Sequence, residues 1–178
     1  MSGLPGLVGA EHVGFTVPDV DAAVRFFVEV IGCTKAYEIG PFLADDDWMQ
    51  RQLGVHPRAV LRKLAMLRCK TGPNFEVFEY EVDGQIMAPP ANSDTGGNHL
   101  GFYVHDIAAA VTYLKAQGLT VQGDVVTMQD GPSKGLSWVY FLSPWGMQME
   151  LVSAPSGQEV TVRDPSALWS PLGPKTGS

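Results

Sequence analysis

The chain has 178 residues, a formal net charge of −7, and 45% hydrophobic against 17% charged residues, the composition of a globular protein of one domain or two small modules. Its acidity repels phosphate backbones and argues against a nucleic-acid partner, and no apolar run reaches the roughly 18 residues of a membrane span. The first residues, MSGLPGLVGAEH, lack the basic and apolar regions of a secretory signal, and Cys33 and Cys69 form no CxxC or other metal spacing, so they read as two ordinary thiols in a reducing cytoplasm.

Residues 12–17 alternate. Val13, Phe15 and Val17 point one way and His12, Gly14 and Thr16 the other, which predicts a half-buried strand. Pro18 stops it and Asp19 is a helix N-cap. Val20, Val24, Phe27 and Ile31 recur at spacings of one helical face, and Gly32 supplies the stop. Strands are predicted at 34–39, 60–68 and 75–81. Residues 40–58 read as an inserted loop with a short helix, in which Trp48 and Met49 form either a lid over an open sheet face or a packed surface helix.

Then the pattern restarts. HVGFTVPDVDAAV at residues 12–24 returns as HLGFYVHDIAAAV at residues 99–111, with eight of thirteen letters conserved in order. Leu100, Phe102 and Val104 share one face; His99, Gly101 and Tyr103 share the other. Asp106 caps a helix with the stripe Ile107, Val111 and Leu114, ended by Gly118. Strands are predicted at 120–126, 137–142 and 147–152. The order strand–helix–strand–strand–strand is therefore written twice, as an α+β fold of two tandem βαβββ modules. The first module spans residues 10–82 and the second 98–154, joined by a Gly/Pro/Asn/Asp-rich linker at 83–97 and followed by an extended tail at 155–178. A single such module leaves one sheet face in water, so two modules are expected to turn their open faces into a U-shaped cleft.

Alternation selects the residues on those open faces. Phe15 and Phe102 belong under the helices, which leaves His12 and His99 on the opposite side. In GMQMELV, Glu150 falls on the open face, and Glu76 of NFEVFEY is its match. Glu79 falls on the helix side. Two imidazoles and two carboxylates, His12, Glu76, His99 and Glu150, suit one divalent ion. Such an ion acts as a Lewis acid. Phe78, Tyr80 and Tyr103 share the open-face parity and, with Trp48, are candidate substrate-lining residues. Lys134, His56 and His105 read as solvated surface groups.

The segments HVGFTVPDVDAAVRFFVEVIGC, HLGFYVHDIAAAVTYLKAQG and SPWGMQMELV resemble the vicinal oxygen chelate superfamily, the glyoxalase and bleomycin-resistance fold. The turn before the last strand reads Ser143-Pro144-Trp145-Gly146 where the family carries Asp-Pro-x-Gly. The resemblance implies paired βαβββ modules around a divalent metal (Zn, Ni, Mn, Co or Fe(II)) at His12, Glu76, His99 and Glu150. It further implies a homodimer and a small-molecule substrate. The leading expectation is an isomerase or lyase of the glyoxalase and epimerase type, in which Glu76 or Glu150 takes a proton from the carbon next to a carbonyl. The alternatives are an Fe(II) extradiol-type dioxygenase with a His12, His99 and Glu150 triad, and a protein that sequesters a drug or metabolite.

Overall fold

A computed structural model describes residues 4–45 and 47–154. The expected C-terminal tail lies outside the described residues. The chain divides into two compact units, Met1–Met87 and Ala88–Ser178.

In the first unit β1 (His12–Thr16) leads into α1 (Val20–Arg25). Asp19 caps that helix, its carboxylate accepting from the Ala22 N–H at 2.8 Å. From Phe26 to Ile31 the winding widens into a π-helix that stops at Gly32, whose φ of 85° is left-handed. This i→i+5 winding re-phases the buried stripe. Val20, Ala23, Phe26 and Phe27 are buried, whereas Val24 and Ile31, expected inside, are only half-buried. There follow β2 (Thr34–Ile39), α2 (Trp48–Leu53), β3 (Val60–Arg68) and β4 (Asn74–Glu81). The strands order as β1-β4-β3-β2, with β1 parallel to β4 and the other pairs antiparallel.

The second unit repeats the plan with β5 (Leu100–Tyr103), α3 (Ile107–Ala116), β6 (Val121–Thr127), β7 (Ser137–Leu142) and β8 (Gln148–Ser153), ordered β5-β8-β7-β6. Asp106 caps α3 through the Ala109 N–H at 2.9 Å, the same local chemistry as Asp19. His99 sits one residue before β5, not inside the strand as the alternation suggests.

Each core lies between a sheet and its helix. Phe15 packs against Phe27 and Phe75, with ring centroids 5.9 and 6.1 Å apart, and Phe102 meets Phe141 at 6.5 Å. Burying these aromatic faces is the main force that fixes the inside of each sheet. Because opposite residues of paired strands share a face, the register Met66↔Glu76 and Leu64↔Phe78 puts those four side chains on the side away from α1. There the inserted helix α2 supplies the cover: Met49, fully buried, packs with Leu61 and Leu64, against the flanks of Phe78 and Tyr80. Met49 thus belongs to a packed helix. Trp48, the other half of the expected lid, instead meets Phe42 edge-on at 5.3 Å.

Candidate metal-binding residues

Each unit forms one histidine–carboxylate pair. In the first, His12 Nε2 lies 3.1 Å from Glu76 Oε2. In the second, His99 Nε2 lies 3.3 Å from Glu150 Oε2. The register explains both. Gly14 is the β1 partner of Glu76, and Gly101 is the β5 partner of Glu150. With no side chain at the glycine, the glutamate leans along the neighbouring strand toward the histidine two residues back. A Cβ placed on Gly14 would stand 3.7 Å from Glu76 Oε2 and 3.3 Å from the Phe78 ring. One on Gly101 would stand 3.5 Å from Glu150 Oε2. The repeated His-x-Gly thus sets each histidine two residues before the glycine that lies opposite its glutamate, and the carboxylates stand at ordinary contact distance from where a Cβ would be.

The other ring nitrogen of each histidine is also held. His12 Nδ1 donates to the Glu11 carboxylate, which is steadied from its far side by Asn74 Nδ2 at 2.6 Å. His99 Nδ1 faces Asn92 Oδ1 at 3.2 Å. Glu11 can only accept, so Nδ1 of His12 carries the proton and the Nε2 lone pair faces the Glu76 oxygen. Two lone pairs that close call for a cation between them, either a proton or a metal ion. The Glu11 hydrogen bond, with a smaller push from the Glu76 charge, raises the His12 pKa above its ordinary value. Its partner Glu11 is lowered, chiefly by His12 and then by Asn74.

Among the described residues no group of three or more His, Cys, Asp or Glu side chains is placed to hold a metal; each unit brings one histidine beside one glutamate. Glu79, the rival carboxylate, is committed elsewhere: its Oε2 accepts from the Val20 N–H at 2.9 Å and so caps α1 on the helix side. The expected lining residues divide. Phe78 stacks on Tyr80 at 5.5 Å and 17°, both flanking the α2 helix; that burial, with the Glu76 charge, raises the Tyr80 pKa. Tyr103 is half-buried, its hydroxyl 3.5 Å from the Ala154 carbonyl. Trp48 is partly exposed. Lys134, His56 and His105 are exposed, as read from the sequence.

Several site residues escape sequence reading. Tyr140 is the β7 partner of Glu150 and packs edge-on against His99 at 5.3 Å, with Trp138 beside it at 5.2 Å. The alternation of SWVYFL carries that signal, since Val139 and Phe141 claim the core and leave Trp138 and Tyr140 opposite. No sequence pattern points to Glu11, Asn74 or Asn92.

A relative from Actinomyces sp., a 2-epi-5-epi-valiolone epimerase, is 47% identical over 175 residues, 94% of each chain. A glyoxalase family protein from Bacillus cereus shares the fold with a TM-score of 0.66 at 20% identity, covering 85% of this chain and 98% of its own. A glyoxalase family protein from Enterococcus faecalis gives 0.55 at 22% identity, over 82% and 98%. The trypanothione-dependent glyoxalase I of Leishmania major gives 0.51 at 14% identity, over 80% and 84%. Residues 11–135 match the sequence profile of the Glyoxalase/Bleomycin resistance protein/Dioxygenase superfamily, and the chain belongs to that superfamily.

Proposed function

We propose that this chain is a divalent-metal-dependent epimerase that inverts a stereocentre next to the carbonyl of a small polyhydroxylated ketone, of the kind named by its Actinomyces relative. The observation that carries the reading is the 47% identity to that epimerase across 94% of both chains. The two His–Glu pairs supply the chemistry. Proton transfer needs a base near a carbon whose acidity is raised by an adjacent carbonyl, and the relative's name favours that over oxygen insertion.

In this reading His12, Glu76, His99 and Glu150 together hold one ion. The donor set fits: two imidazole nitrogens and two carboxylates match a borderline or hard divalent cation and cancel its charge. When bound, the ion supplies Lewis-acid stabilisation for negative charge developing on the carbonyl oxygen. The chain's own residues do the rest. Glu11, which only accepts, holds Nδ1 of His12 and turns the Nε2 side of that ring to Glu76, while Asn92 faces Nδ1 of His99. One glutamate oxygen takes the proton from carbon. Inversion requires that a proton return to the opposite face, and in this reading the glutamate of the other unit gives it. Tyr140 and Trp138, beside His99 and Glu150, offer apolar surface for a ring.

The test is incubation of the metal-loaded chain with 2-epi-5-epi-valiolone in D2O, followed by NMR. Inversion with deuterium entering at the inverted carbon is the expected result. Glu76→Gln and Glu150→Gln should each lower turnover by roughly 10²–10⁴-fold and lower bound metal measured by elemental analysis. Inversion without deuterium entry, or full turnover after exhaustive chelation, overturns the proposal.

A further inference from the structure

Cys33 and Cys69 are far apart in sequence but adjacent across the sheet. Strands β2 and β3 pair antiparallel with Thr34 opposite Arg68, and one more step along that ladder sets Cys33 opposite Cys69. Their backbones are engaged elsewhere. The Cys33 N–H donates to the Phe27 carbonyl at 2.8 Å, closing the helix, and the Cys69 carbonyl accepts from the Gly72 N–H at 3.0 Å, opening the β3–β4 turn. The two cysteines therefore face each other one step past the ladder as a non-hydrogen-bonded pair, for which ideal antiparallel geometry spaces Cα atoms about 4.5 Å apart, inside the roughly 4.4–6.8 Å window that a disulfide bridges. Both are free thiols, Cys33 buried and Cys69 partly exposed.

We propose that Cys33 and Cys69 form an oxidative modification site: a dithiol that reacts with small-molecule disulfides and closes to an intrachain bond between the start of β2 and the end of β3. The roles divide by environment. The interaction between the two thiols, together with the neighbouring Lys70, lowers the Cys69 pKa, while the same interaction and burial raise that of Cys33. Cys69 is thus the attacking thiolate. It displaces one thiolate from the small disulfide and forms a mixed disulfide. Cys33, losing its proton to solvent, then attacks the Cys69 sulfur and releases the second small thiol. Two electrons pass to the reagent, and two protein S–H bonds become one S–S bond.

The site is separate from the His–Glu pairs. Cys69 shares the helix-side parity of Leu67 and Ala65, whereas Glu76 shares the other face with Met66. His12, Asn74, Arg68 and Thr34 form one row across the sheet. The dithiol thus lies one step beyond that row, on the strands farthest from β1.

The experiment treats the native full-length chain with oxidised glutathione and reads intact mass, maleimide-accessible thiols and a peptide map. The expected product has lost two hydrogens, both thiols vanish together, the map shows a Cys33–Cys69 peptide, and dithiothreitol reverses it. Its thermal midpoint rises by roughly 5–10 °C. Cys33→Ser should stall as a stable glutathione adduct on Cys69. A stable adduct on wild-type Cys69, a bond only between chains, or thiols inert until the protein is denatured would each overturn the proposal.

Discussion

Alanine at the two repeated glycines separates the geometry of the two pairs. Neither Gly14 nor Gly101 has left-handed backbone, so alanine is conformationally allowed and restricts the unfolded chain, a gain of about 0.4–1 kcal/mol. At Gly101 the new methyl meets Glu150 Oε2 at 3.5 Å and Val152 at 4.0 Å, both ordinary contacts. At Gly14 it meets the Phe78 ring at 3.3 Å, and that ring cannot easily move. It is stacked on Tyr80 and packed with the cluster under Met49. Overpacking of this kind costs about 1–3 kcal/mol. Gly101→Ala should therefore be neutral or stabilised by about 0.5 kcal/mol, and Gly14→Ala destabilised by about 1 kcal/mol. Urea unfolding monitored by circular dichroism resolves a difference of that size. If Gly101→Ala costs as much as Gly14→Ala, the account that the Phe78 ring is what crowds Gly14 is wrong.

Two further outcomes follow from contacts away from the pairs. Glu79→Gln removes the charge that caps α1 at Val20 and should cost about 0.5–2 kcal/mol of stability with bound metal unchanged; metal loss from a fully folded variant would contradict the assignment of Glu79 to the helix side. The Lys63–Asp21 ion pair at 2.7 Å lowers the Asp21 pKa through its hydrogen bond with Lys63. Its stabilisation is therefore present above the ordinary value of 3.8 and is lost as pH falls through the lower folded value. Since the pair is largely exposed, Asp21→Asn should lose no more than about 1 kcal/mol near neutral pH, a gap that closes in acid; a gap that widens in acid refutes the pairing.

What the sequence made legible was whatever is decided locally or by a period of two. Asp19 and Asp106 are caps because the chemistry of a cap spans three residues. Glu76 and Glu150 were separable from Glu79 because alternation sends neighbours to opposite faces, and the structure finds Glu79 on the helix. The buried stripe of the first helix was misjudged, since nothing in FFVEVI announces π winding. Glu11 was invisible for a different reason: its role depends on Asn74, which arrives from another strand through the β1–β4 register. The nearness of Cys33 and Cys69 likewise exists only once β2 and β3 are paired. The cover that α2 lays over Phe78 and Tyr80 depends on where an inserted segment docks, and a twofold repeat gives no template for a segment present in one copy.

The two copies differ at the ring nitrogen that faces away from the paired glutamate. His12 leans on a carboxylate, Glu11, and His99 on an amide, Asn92. Glu11 accepts only, so a proton is fixed on Nδ1, and in the neutral ring the Nε2 lone pair is presented to Glu76. Glu11→Gln removes that certainty, because a glutamine amide can turn its NH2 toward Nδ1 and drive the proton to Nε2. There it would bond to Glu76 and occlude the lone pair. Loss of such an orienting partner typically costs about 10–100-fold in metal affinity, so Glu11→Gln should weaken Mn²⁺ or Ni²⁺ binding by that factor at constant pH. The imidazole ¹⁵N shifts of the metal-free chain supply a reading that needs no ion. Read at a pH above the raised His12 pKa, they should show His12 protonated on Nδ1 in the wild type and a mixture of tautomers in the variant, with His99 unmoved. An unchanged His12 tautomer in Glu11→Gln would show that the strand itself, not the preceding carboxylate, sets the ring, and the division of labour between Glu11 and Glu76 would fall with it.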